Sequence, residues 1–300
     1  MQRRARPSAR RTPYRQSNMS GSRISYRTMP AATEPQLSET RAAFDSVAAD
    51  YDGPRGNNEL IQDMRSEMWH WLDTTFAARS RLIDLGCGTG LDAVRMAQLG
   101  HDITATDWSS QMVGRTMQRS GREPLAGNVQ AVTVGAHELN RLGGDASYDG
   151  AYSNLGPLNC VPDLAEVSRE CSRLLKPGGA LVFTVIGRIC PWEIAHYMRR
   201  RQWARVKVRY ASNVVPVKMN RHTIWTRYYG PREFYRAFRH HFTLEHCRGL
   251  CVFSPPPYLT GVRERHPRLY QRLRDLDRRV SGWPLLRAMG DHFLIVMKKR

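Results

Sequence analysis

The residues most able to do chemistry lie in one short run, Leu82-Ile83-Asp84-Leu85-Gly86-Cys87-Gly88-Thr89-Gly90. An apolar stretch of strand length, Arg81–Leu85, leads into it, and a helical pattern over Leu91–Leu99 leads out, stopped by Gly100. Glycines at such a strand-to-helix turn let the backbone approach a ligand closely, and the helix start offers unpaired N–H groups and the positive end of a dipole. The spacing is G-x-G-x-G, with Leu91 where a dinucleotide fingerprint needs its third glycine. Asp84 precedes the first glycine by two residues. A carboxylate there would repel a pyrophosphate and favour a cationic or zwitterionic ligand. The next apolar stretch, Asp102–Asp107, ends in a second carboxylate, one that can accept both hydroxyls of a ribose. Trp108 and Met112 follow at positions able to sandwich an adenine ring. Asp107 also has a plainer reading, as the N-cap of the helix expected over Ser109–Arg119.

These residues need a frame, and the pattern supplies one. Expected strands at 81–85, 102–107, 128–134, 148–153 and 180–186 alternate with helical stretches at 91–99, 109–119 and 163–175. Ala180–Ile186 is apolar throughout, as befits the centre of a parallel sheet. Repeated β-α-β units predict a doubly wound α/β sheet with helices on both faces. Two helices precede the first strand. Phe44, Val47, Ala48 and Tyr51 form one apolar face, and Leu60, Ile61, Met64, Met68, Trp69, Trp71 and Leu72 mark the second helix.

At this point the chain resembles a family. Leu82–Gly90, Asp107-Trp108-Ser109-Ser110-Gln111-Met112, Tyr148-Asp149-Gly150-Ala151-Tyr152-Ser153-Asn154 and Leu174-Leu175-Lys176-Pro177-Gly178-Gly179 are similar to the successive signatures of class I S-adenosylmethionine-dependent methyltransferases. Phe44-Asp45-Ser46-Val47-Ala48-Ala49-Asp50-Tyr51-Asp52 resembles the opening helix of their ubiquinone/menaquinone-type small-molecule branch. The resemblance covers about residues 40–187 and the last strand. It implies a seven-stranded sheet, mostly parallel with the last strand antiparallel, and S-adenosyl-L-methionine as cofactor. It further implies that Gly86, Cys87 and Gly88 pass under the methionine part, Asp84 favours its ammonium, Asp107 holds the ribose and Trp108 packs on the adenine. Asn154 would stand beside the transferable methyl, and Tyr51, on the opening helix, would close over the methionine end. One departure stands out. The family usually carries an acidic residue just after the third strand, where this chain reads Val134-Gly135-Ala136-His137-Glu138, placing Ala136 there with Glu138 or a backbone group as the substitute.

The rest of the chain sets the organisation. Residues 1–35 read as a disordered basic tail: eight arginines fall among Ser, Pro and Thr, with no acid before Glu34 and no apolar run suited to a secretory signal. Residues 36–187 form the cofactor-binding core, 188–230 a basic aromatic insertion acting as a substrate lid, with a hairpin expected at 214–229, and 231–300 the remainder of the core with a second insertion at 254–290. In that insertion Leu269, Leu273, Leu276 and Val280 make an apolar stripe, expected to pack inward, flanked by arginines. His292–Met297 closes as a buried strand. Both insertions would roof the acceptor.

The formal net charge is +19, distributed as +6 over residues 1–40, −5 over 41–187 and +18 over 188–300. Such a field favours an anionic partner. The leading expectation is methyl transfer to a small or lipid-like acceptor, for which this field would favour an anionic group. The alternative is methylation of RNA, in which Arg199, Arg200, Arg201, Arg205, Lys207 and Arg209 would form a phosphate track. No acceptor-activating base stands out: His196, His222 and His292 are the candidates, with Asp291-His292 the first pair to consider. Six cysteines without a C-x-x-C pair predict neither a disulfide framework nor a zinc site, and so reduced thiols in a cytoplasmic protein. The longest apolar stretch falls far short of the roughly 20 residues a transmembrane helix needs, so no membrane span is expected.

Overall fold

The computed structural model describes residues 32–54, 56–219 and 221–300; most of the expected basic tail lies outside them. Helix α1 (Glu34–Val47) begins inside the stretch assigned to that tail and ends before Tyr51, which sits in the following turn rather than on the helix. Helix α2 (Glu59–Thr75) starts at Asn58, whose side chain accepts bonds from the Leu60 and Ile61 N–H groups.

The Rossmann-like core alternates as expected: β1 (Arg81–Leu85), α3 (Leu91–Gln98), β2 (Asp102–Asp107), α4 (Ser110–Ser120), β3 (Asn128–Thr133), β4 (Tyr148–Ser153), α5 (Leu164–Leu174) and β5 (Leu175–Ile186). The first insertion holds α6 (Pro191–Arg199), α7 (Trp203–Val206) and a hairpin of β6 (Val215–Met219) and β7 (His222–Thr226). Then follow α8 (Pro231–Phe238), β8 (Phe242–Leu250), α9 (Gly261–Arg265), α10 (Pro267–Val280) and β9 (His292–Lys299).

The seven-stranded sheet has the order β3-β2-β1-β4-β5-β9-β8. Strands β1 to β5 pair in parallel, and β9 runs antiparallel to both its neighbours, with Val182 opposite Val296 at its centre. Residues alternate between two cores, as strand geometry requires. Ile83, Leu85, Phe183, Phe293 and Ile295 face the side closed by α5 and α8, while Leu82, Val182 and Leu294 face α2 and α3. The chain reverses direction between β1 and β4, which opens a crevice at the carboxyl ends of the strands. The candidate site lies there.

The second insertion departs from expectation. It does not roof the crevice but packs on α2: the Tyr270 hydroxyl bonds Asp63, Arg274 pairs with Asp63 at 2.7 Å and Arg263 with Glu59 at 3.0 Å. Its apolar stripe does not point inward either, since Tyr270 and Asp277 hold the buried face of α10 while Leu269 and Leu276 are exposed. Asp277 explains the rotation, because its carboxylate accepts bonds from the Phe253 and Ser254 N–H groups, which fixes that face against the loop after β8.

Candidate functional site

A cavity of about 320 Å³ opens where β1, β2 and β4 end. Its floor is the glycine turn. Gly86 has φ +77, and a Cβ there would fall 2.3 Å from the Pro157 side chain, so no other residue fits. Gly88 has φ +56 and nothing within 4 Å of where its Cβ would be, so its missing side chain leaves open space at the cavity floor.

Asp107 lines the cavity from the tip of β2. Its Oδ2 accepts from the Gly88 N–H at 2.9 Å and its Oδ1 from the Ser109 N–H at 2.8 Å. The N-cap of α4 is Ser109, whose hydroxyl accepts from the Met112 N–H, so the capping role considered for Asp107 falls to Ser109. Each Asp107 oxygen keeps lone-pair capacity toward the cavity. Burial pushes its pKa up to about 6 despite those backbone donors. Trp108 stands beside it, edge-on to His137 with ring centroids 4.6 Å apart.

Tyr51, Gly86, Cys87, Gly88, Asp107, Trp108 and Asn154 all line this cavity. Burial raises the pKa of Tyr51 and, more strongly, that of the Cys87 thiol, so both are neutral side chains at physiological pH. Asp84 is the exception among the expected site residues. It shares the strand face of Leu82, stands behind the turn outside the cavity lining, and is 2% exposed. Its Oδ2 has no hydrogen-bond partner among the described residues, and burial drives its pKa well up.

Sequence reasoning missed the network that braces this wall. Arg65, on the buried face of α2, forms an ion pair with Asp92 in the first turn of α3. Asp92 also accepts from the Trp69 indole N–H at 2.7 Å and from the Asn154 amide at 3.1 Å. The Asn154 Oδ1 accepts from the Thr184 hydroxyl at 2.9 Å. Both ends of the Asn154 amide are thus held by the protein, which fixes its orientation at the end of β4. An arginine among Leu60, Met64, Met68 and Leu72 was the available signal. After the third strand, Ala136 and His137 line the cavity, whereas Glu138 turns back to accept from the Gly135 N–H at 3.0 Å. The substitute role expected for Glu138 is not filled, because its carboxylate closes its own turn.

Beyond the turn the cavity becomes apolar. Phe44 from α1, Val161 and Ile186, and Val217, Met219 and Ile224 from the hairpin line it, with Tyr228 beside them. Helix α1 and β7 are fastened together: the Trp225 N–H donates to the Thr40 hydroxyl at 3.0 Å and its indole N–H to Glu39 at 2.9 Å. Among the described arginines and lysines, only Arg41 and Arg65 are in the lining. Arg199, Arg200, Arg201, Arg205 and Lys207 are exposed outside it, while Arg209 is buried and paired with Glu193 and Asp291, both at 2.6 Å. Arg209 therefore cannot join a phosphate track. None of His196, His222 and His292 lines the cavity. The Asp291–His292 pair is real at 2.9 Å, but Asp291 is also held by Arg209, whose charge keeps its pKa low against the opposing effect of burial.

Cys190, Glu193 and Asp291 lie close enough to share a metal ion, but the Arg209 guanidinium already bridges the two carboxylates. All six cysteines are free thiols. No helix among the described residues is long and apolar enough to cross a membrane.

An alternating parallel sheet with one antiparallel strand, a glycine turn after β1 and an acid at the tip of β2 define the class: a Rossmann-like fold with a cavity at the carboxyl ends of its strands. Residues 82–179 match the family model described as a methyltransferase domain. The chain is 34% identical over 170 residues to a ubiquinone biosynthesis O-methyltransferase of Xanthomonas oryzae pv. oryzae (strain PXO99A), covering 54% of this chain and 66% of that one. It is 28% identical over 149 residues to the enzyme of the same name from Paraburkholderia phymatum, covering 48% and 61%. The chain thus spans somewhat less than two thirds of the length of these curated relatives. Geranyl diphosphate C-methyltransferase from Streptomyces coelicolor A3(2) shares the fold, with a TM-score of 0.55 at 15% identity over 90% of this chain and 100% of that one. Residues 82–179 thus carry a methyltransferase domain on a Rossmann-like fold.

Proposed function

We propose that the protein transfers the methyl group of S-adenosylmethionine to a small, largely apolar acceptor. The observation that carries this reading is the continuity of the cavity, from the Gly88 floor and the Asp107 carboxylate to the apolar chamber under α1 and the hairpin. The residues present fit the cofactor. Gly88 leaves open space where a side chain would intrude, Asp107 keeps acceptor capacity for ribose hydroxyls, and Trp108 offers an aromatic face beside them. When bound, the cofactor supplies an electrophilic sulfonium methyl.

The chain's own residues would align and enclose. Asn154, locked between Asp92 and Thr184, forms a rigid wall at the end of β4 and is one part of an alignment that can supply in total up to about 7–11 kcal/mol of a barrier. Phe44, Val217, Met219 and Ile224 exclude water from the acceptor chamber. The Tyr228 phenol, raised by burial to a pKa of about 12, stays protonated and can hold an acceptor oxygen by donating to it. Arg65 is engaged by Asp92, which leaves Arg41 as the cation able to meet an anionic group on the acceptor or cofactor. Relatives named for ubiquinone biosynthesis support a small-molecule acceptor.

The test is a panel of phenols, amines and prenylated rings incubated with methyl-labelled cofactor, with the demethylated cofactor and labelled product measured together. Acceptor-dependent release of both is expected. Release with RNA alone would replace this reading with the nucleic-acid one.

A further inference from the structure

Helix α10 carries an apolar stripe that neither the core nor the cavity uses. At about 100° per residue, Leu269, Leu276 and Val280 share one face of the helix, roughly a quarter turn from the Tyr270–Asp277 face that packs on α2 and the loop after β8. Leu269 is 48% exposed and Leu276 38%. Past the helix end, in the turn that follows, Trp283 is 62% exposed and Leu285 81%. Arg268, Arg272 and Arg279 border the outer side of this stripe and Arg278 lies beyond them. All four are exposed, and none is in an ion pair with a described residue. The one acid among them on the solvent side is Asp275.

We propose that this surface docks the protein on an anionic lipid membrane, with Leu269, Leu276, Trp283 and Leu285 entering the interface and the arginines meeting the head groups. Three observations favour a bilayer over a protein partner. The exposed apolar side chains lie along the edge of the helix and not in a groove. They are bordered by unpaired cations on the solvent side, the arrangement of a helix lying in a membrane surface. Indole is the side chain best suited to the level of the head groups, and Trp283 is displayed just past the helix end. The proposal concerns a surface on the outer side of α10, so it stands or falls independently of the methyl-transfer reading.

The test is co-sedimentation of the full chain with vesicles of phosphatidylcholine alone and of phosphatidylcholine mixed with phosphatidylglycerol. Each arginine near a charged surface adds roughly fivefold to partitioning, so the mixed vesicles should bind far more protein, and raised salt should reverse this. Each methylene withdrawn from the interface costs about fourfold. The double variants Trp283→Ser/Leu285→Ser and Leu269→Ser/Leu276→Ser should therefore lose tenfold or more, with thermal melts checking that each stays folded. Every variant keeps the arginines of residues 1–31, so binding carried by that segment would survive the substitutions. Binding that the variants leave unchanged, or no preference for phosphatidylglycerol, would overturn the proposal. So would light scattering that finds a dimer dissolved by the variants, which would make this a face between two copies of the chain.

Discussion

Replacing Asp107 by alanine should weaken cofactor binding about 10- to 150-fold. The figure comes from one charge-assisted hydrogen bond, worth about 1.5–3 kcal/mol, lost between the carboxylate and a ribose hydroxyl. The structure makes the substitution informative, because the Asp107 oxygens are fixed by the Gly88 and Ser109 N–H groups at 2.9 and 2.8 Å before any ligand arrives. Asp107→Asn should be nearly as harmful, since one of its two polar ends would present an N–H to a backbone donor. The pKa of about 6 adds a pH signature. Ribose hydroxyls donate to the ionised carboxylate, so binding selects the deprotonated form. Above pH 6 the site is ready and affinity is flat. Below it the free protein must first release a proton, and affinity should fall up to tenfold per pH unit. Titration calorimetry with S-adenosylhomocysteine between pH 5 and pH 8 reads both effects. Unchanged affinity in Asp107→Ala, or a flat pH profile in the wild type that matches the variant, would place the ribose elsewhere.

Asp92→Ala leaves Arg65 buried without its partner, and breaking such a pair costs about 3–5 kcal/mol, so a large drop in denaturation midpoint is expected; a shift within error would mean that water reaches the pair. Met219→Trp, in the apolar chamber, should raise the KM for the acceptor while calorimetry finds cofactor affinity unchanged; equal loss of both would mean the chamber and the cofactor site are one. Removing residues 290–300 should abolish cooperative melting, because β9 lies between β5 and β8 with Phe293, Leu294, Ile295 and Met297 buried; a stable truncated protein would contradict the sheet order. Removing residues 1–29 should leave melting and cofactor binding intact.

Much of the site was legible in the sequence because its signals are local. The G-x-G-x-G turn, the acid ending β2 and the alternation of strand and helix each depend on a few adjacent residues, and backbone sterics give such patterns few solutions. Hence Gly86, Cys87, Gly88, Asp107, Trp108 and Asn154 could be placed near one another from the sequence, in the turn after β1 and at the ends of β2 and β4, and all line the cavity. What the sequence could not decide were matters of rotation and distance. The apolar stripe of α10 has the spacing of an inward face, yet Asp277, bonded to the Phe253 and Ser254 N–H groups, turns it outward. Asp84 is two residues from the glycine turn but sits behind it, because alternation along β1 points it to the face of Leu82. Arg65 and Asp92 are 27 positions apart and meet only when α2 packs beside α3. Which insertion roofs the cavity was likewise a tertiary outcome. Trp225 fastens the hairpin to α1 over the site, while Tyr270, Arg263 and Arg274 fasten the second insertion to α2. Short-range patterning thus fixes which residues stand at the strand ends, but pairings between distant segments depend on packing that no single stretch of chain encodes.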